Sequence, residues 1–171
     1  MTGTTTSLAA ERADLLESLT AHRNFLRFTV RGLTDEQATQ RPTVSELTLA
    51  GLIKHVAGTE AAWVRFIEGG PEAMSGDWDP EAWAREWRLE PGQTLAGLLD
   101  HYAEVAGYTD DLVATLPDLD VSHPLPAAPW FPPGARRSAR RVFLHIIAET
   151  AQHAGHADIL RESIDGQKTM G

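Results

Sequence analysis

Apolar residues recur every three or four positions along four long stretches of the chain, the period of a helix with one buried face. The first stretch runs from about Leu8 to Val30, with Leu15, Leu19, Leu26 and Val30 on one face and Gly32 placed to stop it. Thr34-Asp35-Glu36-Gln37 has the form of a capping box and predicts a short helix that Pro42 ends. The second stretch starts near Thr48, carries Leu49, Leu52, Ile53, Val56, Trp63, Val64 and Ile67 on its buried face, and ends at Gly69-Gly70. The third extends from Thr94 to Leu116 with Leu95, Leu98, Leu99, Tyr102, Val105, Leu112, Val113 and Leu116 inward. The fourth begins at Ser138, a good N-cap, continues to about Ser163 and stops before Gly166.

Between these stretches lie one short and two long connections. Residues 69–93 are rich in Gly, Pro and Trp; Asp79-Pro80-Glu81 predicts a short helix there with Trp83 and Trp87 four apart on one face. Residues 117–134 form a proline-rich loop around Trp130 and Phe131. No strand-like alternation of useful length, internal repeat or low-complexity linker is visible. The expected fold is all-α, an antiparallel four-helix bundle with long connections after the second and third long helices. It is expected as a single domain over residues 1–171, with an ordered core from 7 to 166.

Composition narrows the chemistry. The chain has 171 residues, enough to bury a core without covalent staples, and no cysteine, so disulfides, thiolate metal sites and cysteine nucleophiles are excluded. A net charge of −9 argues against nucleic acid, whose phosphates are bound by clustered positive charge. No apolar run reaches membrane length, and Met1 to Ser7 is polar with neither a basic start nor an apolar core. A cytoplasmic protein with neither a membrane nor a nucleic-acid partner is expected.

The fourth helix carries the most informative conflict. At about 100° per residue, Glu149, His153 and His156 fall within the stripe defined by Val142, Ile146, Leu160 and Ile164. Ionisable groups on a core-facing strip must be paired, shifted in protonation or bound to a cation. Glu149 and His153 are i and i+4, so they can hold one ion between them; a hydrogen-bonded Glu–His pair without metal satisfies the same pattern. A third ligand would decide between these. The candidates are His55, at the edge of the second helix's stripe, and His22, between Leu19 and Leu26 on the first; His145, one turn before Glu149, is held in reserve. His101 and His123 are expected to be solvated. Arg136, Arg137, Arg140 and Arg141 cluster at the start of the fourth helix, where surface pairing with the many acidic residues competes with recognition of an anionic substrate group.

Three segments carry a resemblance to a known family: Gly32-Leu33-Thr34-Asp35-Glu36-Gln37; Gly51-Leu52-Ile53-Lys54-His55-Val56; and the run from Leu144 to Glu162 that includes Glu149-Thr150-Ala151-Gln152-His153-Ala154-Gly155-His156. The chain resembles the DinB-like four-helix superfamily and, within it, the actinobacterial branch of mycothiol-dependent transferase-like proteins. The resemblance implies one divalent metal, most often zinc, with nickel or iron also seen. It is similar to the metal-binding domain of mycothiol-dependent maleylpyruvate isomerase, which implies His55, Glu149 and His153 as the ligands and ranks His55 above His22. That isomerase has a further C-terminal domain without counterpart in these residues, so thiol transfer is expected rather than isomerisation.

Two imidazoles and one carboxylate leave coordination positions open, the arrangement of a catalytic site rather than a structural one. With no cysteine present, a thiolate must arrive as cosubstrate. The expected activity is therefore metal-dependent S-transfer from a low-molecular-weight thiol, mycothiol by resemblance, to an electrophilic small molecule. His156 is expected to orient a ligand or accept the thiol proton, and Trp130 and Phe131 either wall the pocket mouth or cover core. The same ligands also suit a hydrolase that activates water, and a bundle that binds metal or forms a homodimer without turnover.

Overall fold

The computed structural model describes residues 3–74, 81 and 85–169. Within them lie α1 (Gly3–Thr29), α2 (Asp35–Ala38), α3 (Leu49–Gly69), α4 (Pro71–Met74), α5 (Leu95–Thr115), β1 (Ser122–Pro124), β2 (Arg136–Ser138) and α6 (Ala139–Asp165). Three of the four long helices start on the same device. The hydroxyls of Thr48, Thr94 and Ser138 accept from the backbone N–H three residues on, at 3.0, 3.1 and 3.2 Å. The capping box at Thr34 forms in full, with Gln37 returning to the Thr34 N–H at 3.0 Å. Gly166, left-handed at φ 79°, closes α6.

The long helices form a bundle in which α1 and α3 each touch both α5 and α6. Side-chain bonds fix the directions. Arg12 reaches the carbonyls of Val113 and Leu116 while Arg27 reaches that of Leu99, so α1 and α5 are antiparallel. The rings of Trp63 and His145, and of His55 and His153, pair α3 antiparallel to α6. The other two neighbouring pairs run parallel. Glu11 binds Arg140 and the carbonyls of Thr29 and Arg31 bind Arg161 along α1 and α6; Lys54 reaches Gln93 and Glu68 meets Tyr108 along α3 and α5. Parallel neighbours need a connection that returns the full length of the bundle, which the long segment between Gly69 and Thr94 supplies.

The core has two apolar halves. One gathers Leu26, Val30, Leu52, Ile53, Val56, Leu98, Tyr102 and Leu160; the other gathers Leu15, Leu19, Trp63, Phe66, Val113, Phe143 and Ile146. Arg23, Glu60, Thr109 and Thr150, all buried, lie between these halves in sequence along α1, α3, α5 and α6. No helix among the described residues is long and apolar enough to cross a membrane.

The all-α frame gains one small element, and three expectations are corrected. A two-stranded antiparallel ribbon pairs Ser122 with Ser138, His123 with Arg137 and Pro124 with Arg136; strands of three residues are too short for alternation to register in sequence. Arg23, not His22, takes the core position between Leu19 and Leu26: both lie one turn from each leucine, but Arg23 is the one that meets Glu60 and Asp110, while His22 is half-buried beside Phe25. On α6 the buried line between Ile146 and Leu160 passes through Thr150, Ala154 and Ala157, whose small side chains allow close helix approach. Glu149, His153 and His156 therefore stand half-buried on its flank. His123 is not solvated: its Nε2 donates to the Ile67 carbonyl at 3.1 Å and its ring sits edge-on to Phe66. Asp79, Pro80 and Trp83 of the expected short helix lie outside the described residues.

Candidate metal centre

His55 sits nearly two turns into α3, on the side that faces α6, and is only 8% exposed. Its burial follows from what covers it. Lys54 Nζ donates to the carbonyls of Arg85 and Arg88 at 2.9 and 3.1 Å and to Gln93 Oε1 at 3.1 Å, tying the returning segment to α3. Gly51 makes the close approach possible: a Cβ there would stand 2.2 Å from the Trp87 carbonyl oxygen. Trp87 is thereby stacked on the His55 ring, with centroids 4.0 Å apart and planes 21° from parallel. Glu86 Oε2 lies 3.7 Å from His55 Nδ1, and Thr59 Oγ1 lies 3.5 Å from His55 Nε2.

Across the groove, α6 presents Glu149 between two histidines one turn away on either side. His153 Nε2 is 3.5 Å from Glu149 Oε2, and His145 Nε2 is 3.7 Å from Glu149 Oε1. The rings of His55 and His153 meet edge to face at 4.9 Å. One ligand atom from each of His55, Glu149 and His153 lies within 4.8 Å of the others, and among the described residues this is the one such group able to hold a metal ion.

Protonation favours that use. Burial, reinforced by His153, pushes His55 down to about 4. Burial, reinforced by His156, also lowers His153. Both imidazoles are neutral at pH 7 and offer lone pairs. His153 Nδ1 lies 3.5 Å from His156 Nδ1, so a bond between them uses that edge of His153 and leaves Nε2 directed toward Glu149. His145 differs. It is pushed down to about 4 by burial and then by the charges of Arg137 and Arg141, a setting that repels a cation. It is turned edge-on to Trp63 at 4.8 Å.

The remaining sequence candidates are placed plainly. His22 lies outside the cluster. His101, 59% exposed, faces Glu104 on its own helix. Arg136 donates to the Ser122 carbonyl at 2.6 Å, and Arg140 is paired with Glu11 and Asp120. Trp130 is exposed, whereas Phe131 packs on the core half that holds Trp63. Two features were missed from sequence. Glu86 and Trp87 reach the site only through the returning segment, for which local pattern carries no signal. Glu60 was legible, since it stands i+4 from Val56 and i−4 from Val64 within the apolar stripe of α3.

The fold is shared with a conserved protein of Enterococcus faecalis whose crystal structure superposes with a TM-score of 0.62. At 15% identity the match covers 90% of this chain and 96% of that one. No curated protein sequence matches the chain. The profile of the mycothiol-S-transferase family matches residues 14–166, a span that takes in part of α1, the other three long helices whole and all three clustered ligand candidates. The chain belongs to the mycothiol-S-transferase family.

Proposed function

We propose that the protein is a metal-dependent S-transferase that joins the sulfur of mycothiol to an electrophilic small molecule, with His55, Glu149 and His153 holding one zinc ion. One observation carries the proposal: a partly buried set of two neutral imidazoles and a carboxylate, their donor atoms within 4.8 Å, contains no cationic side chain of its own. Such a donor set fits a borderline divalent cation and leaves positions open for a further ligand. When bound, the metal supplies Lewis-acid chemistry that holds a thiol as thiolate at neutral pH.

The chain's own residues do the rest. His156 positions His153 through the Nδ1 contact, and Trp87 covers the His55 ring and keeps water from that side. Glu86 lies 3.7 Å from His55 Nδ1 and Thr59 lies 3.5 Å from its Nε2, so a polar side chain flanks each ring nitrogen. The chain has no cysteine, so the nucleophilic sulfur is the cosubstrate's. That sulfur passes its proton to His156 and bonds to an electrophilic carbon; in a displacement the leaving group departs with the bonding pair, and in an addition the π pair moves away from that carbon and is then protonated by water.

The test uses cobalt in place of zinc. Metal analysis should find about one ion per chain in the wild type, little in His153→Ala, and full loading in His101→Ala. Mycothiol should then produce a saturable near-ultraviolet sulfur-to-cobalt band, and its hydroxyl analogue should not. A fully loaded His153→Ala protein would overturn the ligand set. An occupied site without the band would leave the same residues to water activation or to metal binding without turnover.

A further inference from the structure

 Six arginines among the described residues are not exposed: Arg12, Arg23, Arg27, Arg137, Arg140 and Arg161. Five of these donate to an acceptor. Arg12 and Arg27 bind backbone carbonyls, Arg23 and Arg140 bind carboxylates, and Arg161 binds both. Among the described residues Arg137 has no acceptor, and its Nη1 is buried without a hydrogen-bond partner. In a chain with 24 acidic residues and 15 basic ones, a half-buried guanidinium without a carboxylate calls for an explanation.

Its surroundings supply one. The guanidinium carbon lies 4.6 Å from the centroid of Trp63, over the ring face, and 5.4 Å from that of Phe131. These contacts hold the charge without using an N–H. Burial and the neighbouring Arg141 both work against that charge, and Glu149 favours it. Trp63 also touches His145, which touches Glu149, so Arg137 is linked to the candidate metal centre through one aromatic ring and one neutral imidazole. The ribbon fixes its backbone, with Arg137 opposite His123.

We propose that Arg137 binds a carboxylate on the electrophilic substrate and so sets which electrophiles the protein accepts. A planar guanidinium held against aromatic rings meets a carboxylate through two parallel N–H bonds, and its rigid placement costs little ordering on binding. The inference rests on the proposed thiol transfer for the identity of the carboxylate's carrier, but the anion site stands or falls by itself.

Two measurements on zinc-loaded protein test it. The first compares 4-oxo-4-phenylbut-2-enoate with its methyl ester, with mycothiol as the thiol. In both, sulfur bonds to the alkene carbon, the π pair moves into the enolate, and water returns a proton to carbon. Each kcat/KM is divided by the uncatalysed rate with the same thiol. The acid-to-ester ratio should fall about ten- to hundredfold in Arg137→Met, fall less in Arg137→Lys, and stay at the wild-type value in Arg136→Gln. A parallel loss on both electrophiles with the ratio unmoved would make Arg137 a packing residue and overturn the proposal. The second measures benzoate against benzamide by calorimetry without thiol. Benzoate should bind the wild type more tightly, and Arg137→Met should abolish the difference. Benzoate binding without turnover of either electrophile would keep the anion site and reject the thiol transfer. Turnover without acid preference or benzoate binding would do the reverse.

Discussion

Two clusters of ionisable side chains are built into this bundle, and they differ in one respect that matters. Arg23, Glu60 and Asp110 join α1, α3 and α5 with contacts of 2.5 Å to Glu60 and 2.7 Å to Asp110. Burial opposes the Arg23 charge, yet the two carboxylates outweigh it and raise its pKa. This cluster contains its own cation and is closed. His55, Glu149 and His153 join α3 to α6 with donor atoms only, held near one another without a cationic side chain among them. Arginine in the first set occupies the place that a metal would take in the second. Buried polarity alone is therefore no sign of a site; the missing charge is.

The largest expected effect breaks the closed cluster. Glu60→Ala leaves Arg23, 4% exposed, without its principal partner, and should cost about 3–5 kcal/mol in urea denaturation. His153→Ala in metal-free protein should cost no more than the ~1 kcal/mol typical of a single substitution, because the imidazole it removes is neutral. Equal losses would erase the distinction between the two clusters.

A smaller effect comes from pH. His55 and His145 are each held down to about 4, against an ordinary value of 6.5. Between those values the unfolded chain binds protons that the folded chain refuses, so stability is fully present above 6.5 and is lost as pH falls toward 4. From about pH 7 to about pH 5 the metal-free protein should lose about 2 kcal/mol per histidine. His145→Gln should remove its share of that slope. A flat profile would mean that water reaches both rings freely. The closed cluster contains no histidine.

The smallest effect separates the two halves of the closed cluster. Asp110 is 38% exposed at its side chain, and the Arg23–Asp110 contact is correspondingly screened. Asp110→Asn should cost less than about 1 kcal/mol in the same denaturation assay. A loss as large as that of Glu60→Ala would place Asp110 inside the dry part of the cluster.

Much of the frame was legible because its causes are local. Thr34, Thr48, Thr94 and Ser138 cap helices through atoms at most three residues away, and Gly166 stops α6 through its own backbone angle. The apolar stripe of α3 is buried at every position the spacing marks, from Leu49 to Ile67. The pairing of Glu149 with His153 follows from one helical turn. The spacing failed where a stripe is wide. On α1 it favoured His22 over Arg23, and on α6 it placed Glu149 and His153 in the core rather than beside it.

What the sequence by itself determined is thus the set of helices, their caps, and the i,i+4 pair on α6, all fixed by interactions within one or two turns. The rest was decided by tertiary contact. Which α3 residue faces that pair, which helices run parallel, and which arginine is left without a carboxylate depend on partners 14 to 132 positions apart. His55 became buried because Gly51 and Lys54 draw the segment around Trp87 onto α3. Arg137 was left without an acceptor because Arg136 and Arg140, on either side of it, took the nearby oxygens of Ser122, Glu11 and Asp120. Such outcomes are differences between competing long-range partners, and no local pattern of residues carries them.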